Sequence, residues 1–170
     1  MRRIVHILRT FILFILVVVF MSNYPKNAFA YDHNLDEWAD KSFLIIHSTH
    51  NYKEARGVAE ESSKKLGLEL KLRDLLENSK IGLTFPKDIC KDNDWEYPCY
   101  IARGRYDDGL YVSVEYSNAY SGFAEGLYIV IVLGDFKSSD QYLLETLRKA
   151  KMYYPDAYVK STKVYLGCIH

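Results

Sequence analysis

The chain has 170 residues, with 22 basic and 22 acidic side chains, 15 tyrosines and three cysteines. Balanced charge without a basic patch argues against nucleic acid as a partner, because binding it leans on clustered lysine and arginine. No run of like charges marks an acidic or basic tail.

Arg2, Arg3 and Arg9 flank or precede an unbroken apolar run from Phe11 to Met21. That run is shorter than the roughly 20 residues a membrane-spanning helix needs and fits the apolar core of a signal peptide. Ala28-Phe29-Ala30 supplies a small-x-small cleavage pattern. Residues 1–30 are therefore expected to be a signal peptide cut after Ala30, leaving residues 31–170 as one periplasmic or secreted domain with no membrane attachment. The alternative is an uncleaved anchor extended back through Ile4 to Leu8. The leader holds Arg2, Arg3, Arg9 and Lys26 and no acid, so the exported part is acidic, with a net charge of about −4. A domain of this size can bury a proper core.

Residues 31–41 are a polar lead-in. Phe43-Leu44-Ile45-Ile46 is a short apolar run that predicts a central strand, with His47 to His50 as its exit. Asn51 followed by Glu54 is a capping pair. Tyr52, Ala55, Val58, Ala59, Ser62 and Leu66 then recur at helical spacing, and Gly67 stops the helix. Leu68, Leu70 and Leu72 alternate with charged residues and predict a half-buried strand. Residues 74–80 are ambiguous, with a helical turn as one reading, and 81–85 predict a short extended piece. Residues 86–98 are expected to be a loop clipped by a Cys90–Cys99 disulfide, which closes a ten-residue loop, although Cys168 could displace either partner.

Residues 99–106 and 110–116, rich in tyrosine and β-branched side chains, predict a hairpin turned by Asp107-Asp108-Gly109. Residues 117–126 form a loop. Residues 127–133 predict another apolar strand, and Gly134 to Lys137 its exit. Ser138 and Gln141 repeat the capping pair. Leu143, Leu147, Ala150 and Tyr154 share one helix face, Pro155 ends it, and 157–166 predict the last strand. The order β-α-β, inserted hairpin, β-α-β points to an α+β, ferredoxin-like antiparallel sheet with two helices on one face. No helix remains for the other face, which is expected to be bare.

The two halves resemble the pseudo-repeats of a SPOR (sporulation-related repeat) domain. Leu44-Ile45-Ile46-His47-Ser48-Thr49-His50 leads into Asn51-Tyr52-Lys53-Glu54-Ala55, and Tyr128-Ile129-Val130-Ile131-Val132-Leu133-Gly134-Asp135-Phe136 leads into Ser138-Ser139-Asp140-Gln141. Gly134 and Phe136 fall where that family has Gly-x-Phe. The first half has neither residue, and residues 74–126 stand where the family has a short link. The resemblance covers about half of residues 31–170. It implies a non-enzymatic module that grips peptidoglycan glycan strands on an exposed sheet face.

Sugar rings require flat aromatics for their faces and polar groups for their edges. Tyr116, Asn118, Tyr120 and Phe123 supply that mixture in one loop, His47 and Ser48 stand at a strand exit, and Arg103 and Arg105 alternate on the hairpin. No enzyme motif is legible. His47 and His50 do not form a His-Glu-x-x-His helix, no Gly-x-Ser-x-Gly elbow exists, and Asp92 to Glu96 lacks the glycine and the final acid of a calcium loop. No cofactor or metal is implied. The other class of reading is an inhibitor or immunity protein. There an acidic aromatic plug, Asp92 to Pro98 with the 107–109 tip, would enter the cleft of a basic toxin or cell-wall hydrolase.

Overall fold

The computed structural model describes residues 37–105, 109–134 and 141–167. The expected signal peptide, the Asp107-Asp108 turn, the Asp135 to Phe136 exit, the Ser138 cap and Cys168 lie outside the described residues. Within them the chain is α+β, with one four-stranded antiparallel sheet and three helices.

Strand β1 (Trp38–Thr49) is longer than its apolar run, because its polar first half pairs residue for residue with the last strand. Helix α1 (Tyr52–Leu66) starts and stops where its caps dictate. The Asn51 side chain accepts from the Glu54 amide, and Gly67, at φ 68°, returns its amide to the Ser63 carbonyl. The hairpin β2 (Leu76–Asn78) and β3 (Gly82–Thr84) and the short helix α2 (Lys87–Asp92) follow. Then come β4 (Gly109–Tyr116), β5 (Tyr128–Gly134), α3 (Gln141–Lys151) and β6 (Tyr158–Tyr165). The large sheet has the order β4-β5-β1-β6.

Five expectations are corrected. Residues 68–72 make no strand of their own. Leu70 forms a single bridge to Val112, with Val112 donating to the Glu69 carbonyl and Lys71 donating to that of Val112. The positive φ of Arg73 and Asp74, 55° each, then turns the chain away. Residues 99–105 are not the first arm of a hairpin either. β4 pairs with β5 instead, and 99–105 crosses the sheet as irregular chain around Gly104, at φ 91°. A Cβ on Gly104 would lie 2.8 Å from the Phe43 ring, so only glycine lets this segment press onto the sheet. The ambiguous 74–80 stretch contributes β2 rather than a helical turn, and the 86–98 loop holds a turn and a half of helix.

The fifth correction concerns the sheet face expected to be bare. One face is covered by α1 and α3. Ala55, Ala59, Leu143 and Ala150 pack there on Leu44, Ile46, Val112, Val130 and Val132. The opposite face is roofed as well. Phe43, Ile45, Ile129 and Ile131 are completely buried under Ala102, Tyr120, Phe123 and Leu127. The inserted segments do the work of a second helix layer, since an apolar strand face must be covered by something.

Candidate functional site

The residues expected to form one binding surface are dispersed, and most of them have structural partners. Arg103 is fully buried. β4 carries a bulge, with Leu110 opposite Leu133 but Ser113 opposite Ile131, and a bulge leaves ladder groups unpaired. Arg103 supplies the missing donors. Its Nη1 donates to the Tyr111 carbonyl at 3.0 Å, the Ile131 carbonyl at 3.1 Å and Ser113 Oγ at 3.0 Å, and Nη2 to the Gly109 carbonyl at 2.7 Å. Its guanidinium lies 3.6 Å from the Tyr111 ring centre. Burial pushes its pKa down. Arg105 donates to the carbonyls of Tyr165 and Gly167 and so fastens the end of β6.

Tyr120 is also buried. Its ring meets Phe43 edge-on at 5.3 Å, and its hydroxyl donates to the Arg103 carbonyl. Phe123 packs on Tyr120 at 5.9 Å and lies under Lys160. Asn118 clamps its own loop by accepting from the Gly126 amide at 2.7 Å. His47 shares a 2.9 Å hydrogen bond with Glu54. The Thr49 hydroxyl, and after it His47, hold the Glu54 carboxyl below its ordinary range. Ser48 is exposed.

Glu115 was not legible as important, because a lone glutamate in a strand pattern marks an outward position. It is fully buried, on the same face as Arg103. Its Oε2 accepts from Arg73 Nη2 at 2.5 Å, from the Tyr100 hydroxyl at 2.6 Å and, at 3.3 Å and 3.4 Å, from the Arg103 amide and the Tyr120 hydroxyl. Burial is the largest single influence and works against the Arg73 charge, but the Glu115 carboxylate and the neighbouring Tyr100, Tyr120 and Tyr111 together outweigh it and raise the Arg73 pKa. Burial, then Glu115, pushes the Tyr100 and Tyr120 phenols well above their usual value. A charge this deep persists only when paired and hydrogen-bonded. The network ties three inserted segments, at Arg73, Tyr100 to Arg103 and Tyr120, to one point on the sheet.

What that anchoring leaves open is a cleft of about 570 Å³ at the end of β4. Trp95, Glu96 and Tyr97 line it from one side, Tyr116 from the end of β4, Tyr100 from the irregular chain beside it, and Lys80 from the β2–β3 turn. The sulfurs of Cys90 and Cys99 lie at disulfide distance with their Cα atoms 5.9 Å apart, so the loop that carries Trp95 and Tyr97 is closed at its base. Phe85 supports Trp95 at 6.3 Å, and Lys87 sits 5.2 Å from the Tyr97 ring centre. Tyr116 rests on Gly82, where a Cβ would come within 2.3 Å of its ring, and meets Tyr128 at a tilt with ring centres 5.3 Å apart. Of the residues expected to bind a glycan, Tyr116 and Asn118 line this cleft, and Trp95 to Pro98 of the expected plug line it too. Trp95 and Tyr97 belong to the 92–98 stretch expected to act as an inhibitor's plug rather than as a glycan site, and Tyr100 was passed over because it reads as part of a hairpin arm.

Chemically the cleft offers flat rings, a cation and a carboxylate. Among the described residues no group of three or more His, Cys, Asp or Glu side chains could hold a metal ion, and no helix is long and apolar enough to cross a membrane. Comparison of the chain with protein-family models, with curated proteins and with solved structures finds no match.

Proposed function

We propose that this domain is an exported, non-enzymatic binding protein that holds a glycan, with peptidoglycan strands as the natural candidate, in the aromatic cleft beside the Cys90–Cys99 loop. The observation that carries the reading is the convergence of Trp95, Tyr97, Tyr100 and Tyr116 on one open cleft of about 570 Å³, a volume typical of small-ligand sites. Tyrosine and tryptophan present an apolar face to a sugar ring and a polar tip to its hydroxyls. Lys80 and Glu96 can bond the ring edges. The paired cysteines fit export to an oxidising compartment, in line with a signal peptide over residues 1–30. The strand order β4-β5-β1-β6, with β1 and β5 central, supports a ferredoxin-like arrangement and the SPOR-like kinship. The binding surface proposed here is the cleft, since the sheet face is filled.

Co-sedimentation of the 31–170 domain with insoluble peptidoglycan tests this. Trp95→Ala and Tyr97→Ala are expected to weaken retention about five- to tenfold each, the equivalent of about 1–1.5 kcal/mol per lost stacking contact, with unchanged thermal melts. Retention that is absent in the wild type, or unaltered in both variants, overturns the reading.

One observation favours the inhibitor reading. Tyr97 is exposed on the clipped segment and Ile89 just before it, with exposed acids at Asp88, Asp92, Asp94 and Glu96 against exposed Lys87 and Lys91. A stoichiometric complex with a basic hydrolase, lost in Tyr97→Ala and formed without any peptidoglycan retention, would establish it instead.

A further inference from the structure

The end of the sheet that carries the aromatic cleft carries a second one. β6 begins at Tyr158 opposite Ile45, so residues 46–49 of β1 run on past it with β5 as their strand neighbour on the other side. The notch beside them is a cleft of about 360 Å³, lined among others by His47, Ser48, Tyr153, Asp156 and Tyr158. Tyr153 and Tyr158 are 44% and 42% exposed, so both rings are open to a ligand. Ser48 and Asp156 are exposed beside them. His47 is held by Glu54, and Lys65 backs the Tyr153 ring at 6.0 Å. The second cleft thus shares with the first its aromatic rings and a carboxylate, with the Ser48 hydroxyl and His47 where the first has Lys80.

The strand register fixes how the two clefts relate. Tyr116 lies opposite Tyr128, Tyr128 opposite Thr49, and β6 starts beside β1. Both clefts therefore open where β4 and β1 finish and β5 and β6 start. Three strand spacings separate β4 from β6, about 14 Å in all. Between them His50 and Asn51 are exposed, so a polar chain crossing that end meets polar groups. A single small sugar fills one cleft, whereas a linear chain of several units reaches both.

We propose that the two clefts are successive subsites for one linear polysaccharide, and that the domain accordingly prefers long chains to short ones. This rests on the reading that the first cleft takes a glycan. Once one end of a chain is held, the second contact is intramolecular, and a chain that reaches both sites gains about a hundredfold in affinity.

The test uses titration calorimetry of the 31–170 domain with chitobiose and chitohexaose as probes. It is run on the wild type and on a Tyr153→Ser/Tyr158→Ser variant whose fold is checked by circular dichroism. The wild type is expected to bind the hexamer tenfold to a hundredfold more tightly than the dimer. The variant is expected to lose that preference and to keep its affinity for the dimer. Equal binding of the two probes by the wild type, or a preference that survives in the variant, overturns the two-subsite proposal and leaves the first cleft standing. A wild type that binds neither probe overturns both.

Discussion

The two faces of the sheet are both closed to solvent, but by opposite chemistry. Under α1 and α3 the contact is aliphatic and periodic, with Leu44, Ile46, Val112, Val130 and Val132 against alanines and leucines. On the other side irregular chain is held down by a buried arginine, a buried glutamate and tyrosine hydroxyls around the smaller cluster of Phe43, Ile45, Ile129 and Ile131. The difference shows what each cover demands. A helix satisfies its own backbone and needs only an apolar stripe. An irregular cover makes no ladder of its own, and its side-chain donors, such as Arg103, answer the carbonyls that the β4 bulge leaves open in the sheet.

Removing the polar clasp should therefore do more harm than trimming the aliphatic face. Glu115→Ala leaves Arg73 and Arg103 charged and buried without their carboxylate, and is expected to cost about 3–5 kcal/mol of unfolding free energy in urea melts. Leu44→Ala, on the helix side, should cost about 2–5 kcal/mol. A Glu115 variant milder than Leu44→Ala would break the comparison.

Opening the clip sharpens it next. The Cys90→Ala/Cys99→Ala variant should lose about 2–3 kcal/mol. Its proton NMR changes should concentrate at Trp95 and Tyr97 and spare the α1 and α3 core. A global shift would mean that the loop-covered side is not separable.

Alkaline pH tests the buried phenols of both sides without mutation, since Tyr120 lies in the loop-covered cluster and Tyr128 in the helix-covered one. The Tyr100, Tyr120 and Tyr128 phenols are raised in the fold, Tyr128 to about 12, against about 10 in an unfolded chain. Their contribution is intact below the unfolded value and is lost as pH climbs through the folded ones. Stability should fall from about pH 10 upward, by about 1.4 kcal/mol per pH unit for each tyrosine still protonated in the fold. Flat stability up to pH 12 would contradict the burial of these hydroxyls. The smallest effect belongs to the helix side, where Asn51→Ala removes the cap on Glu54 and should cost about 1 kcal/mol by thermal melt.

Sequence alone determined the parts whose physics is local. Asn51 and Gly67 bounded α1, the apolar runs at 43–46 and 127–133 marked the central strands, and the spacing of Cys90 and Cys99 marked the clip. Each signal lies within a few residues of its effect. Tertiary structure decided the rest. It chose β5 over residues 99–105 as the partner of β4, because a bulge in that pairing gave Arg103 its carbonyls. It turned Glu115 inward, because Arg73 and Tyr100 come from far along the chain to neutralise it. It gathered Trp95, Tyr97, Tyr100 and Tyr116 into a cleft that no periodicity announces. A paired buried charge has the same letters as a solvated one, and only its partners in space distinguish them.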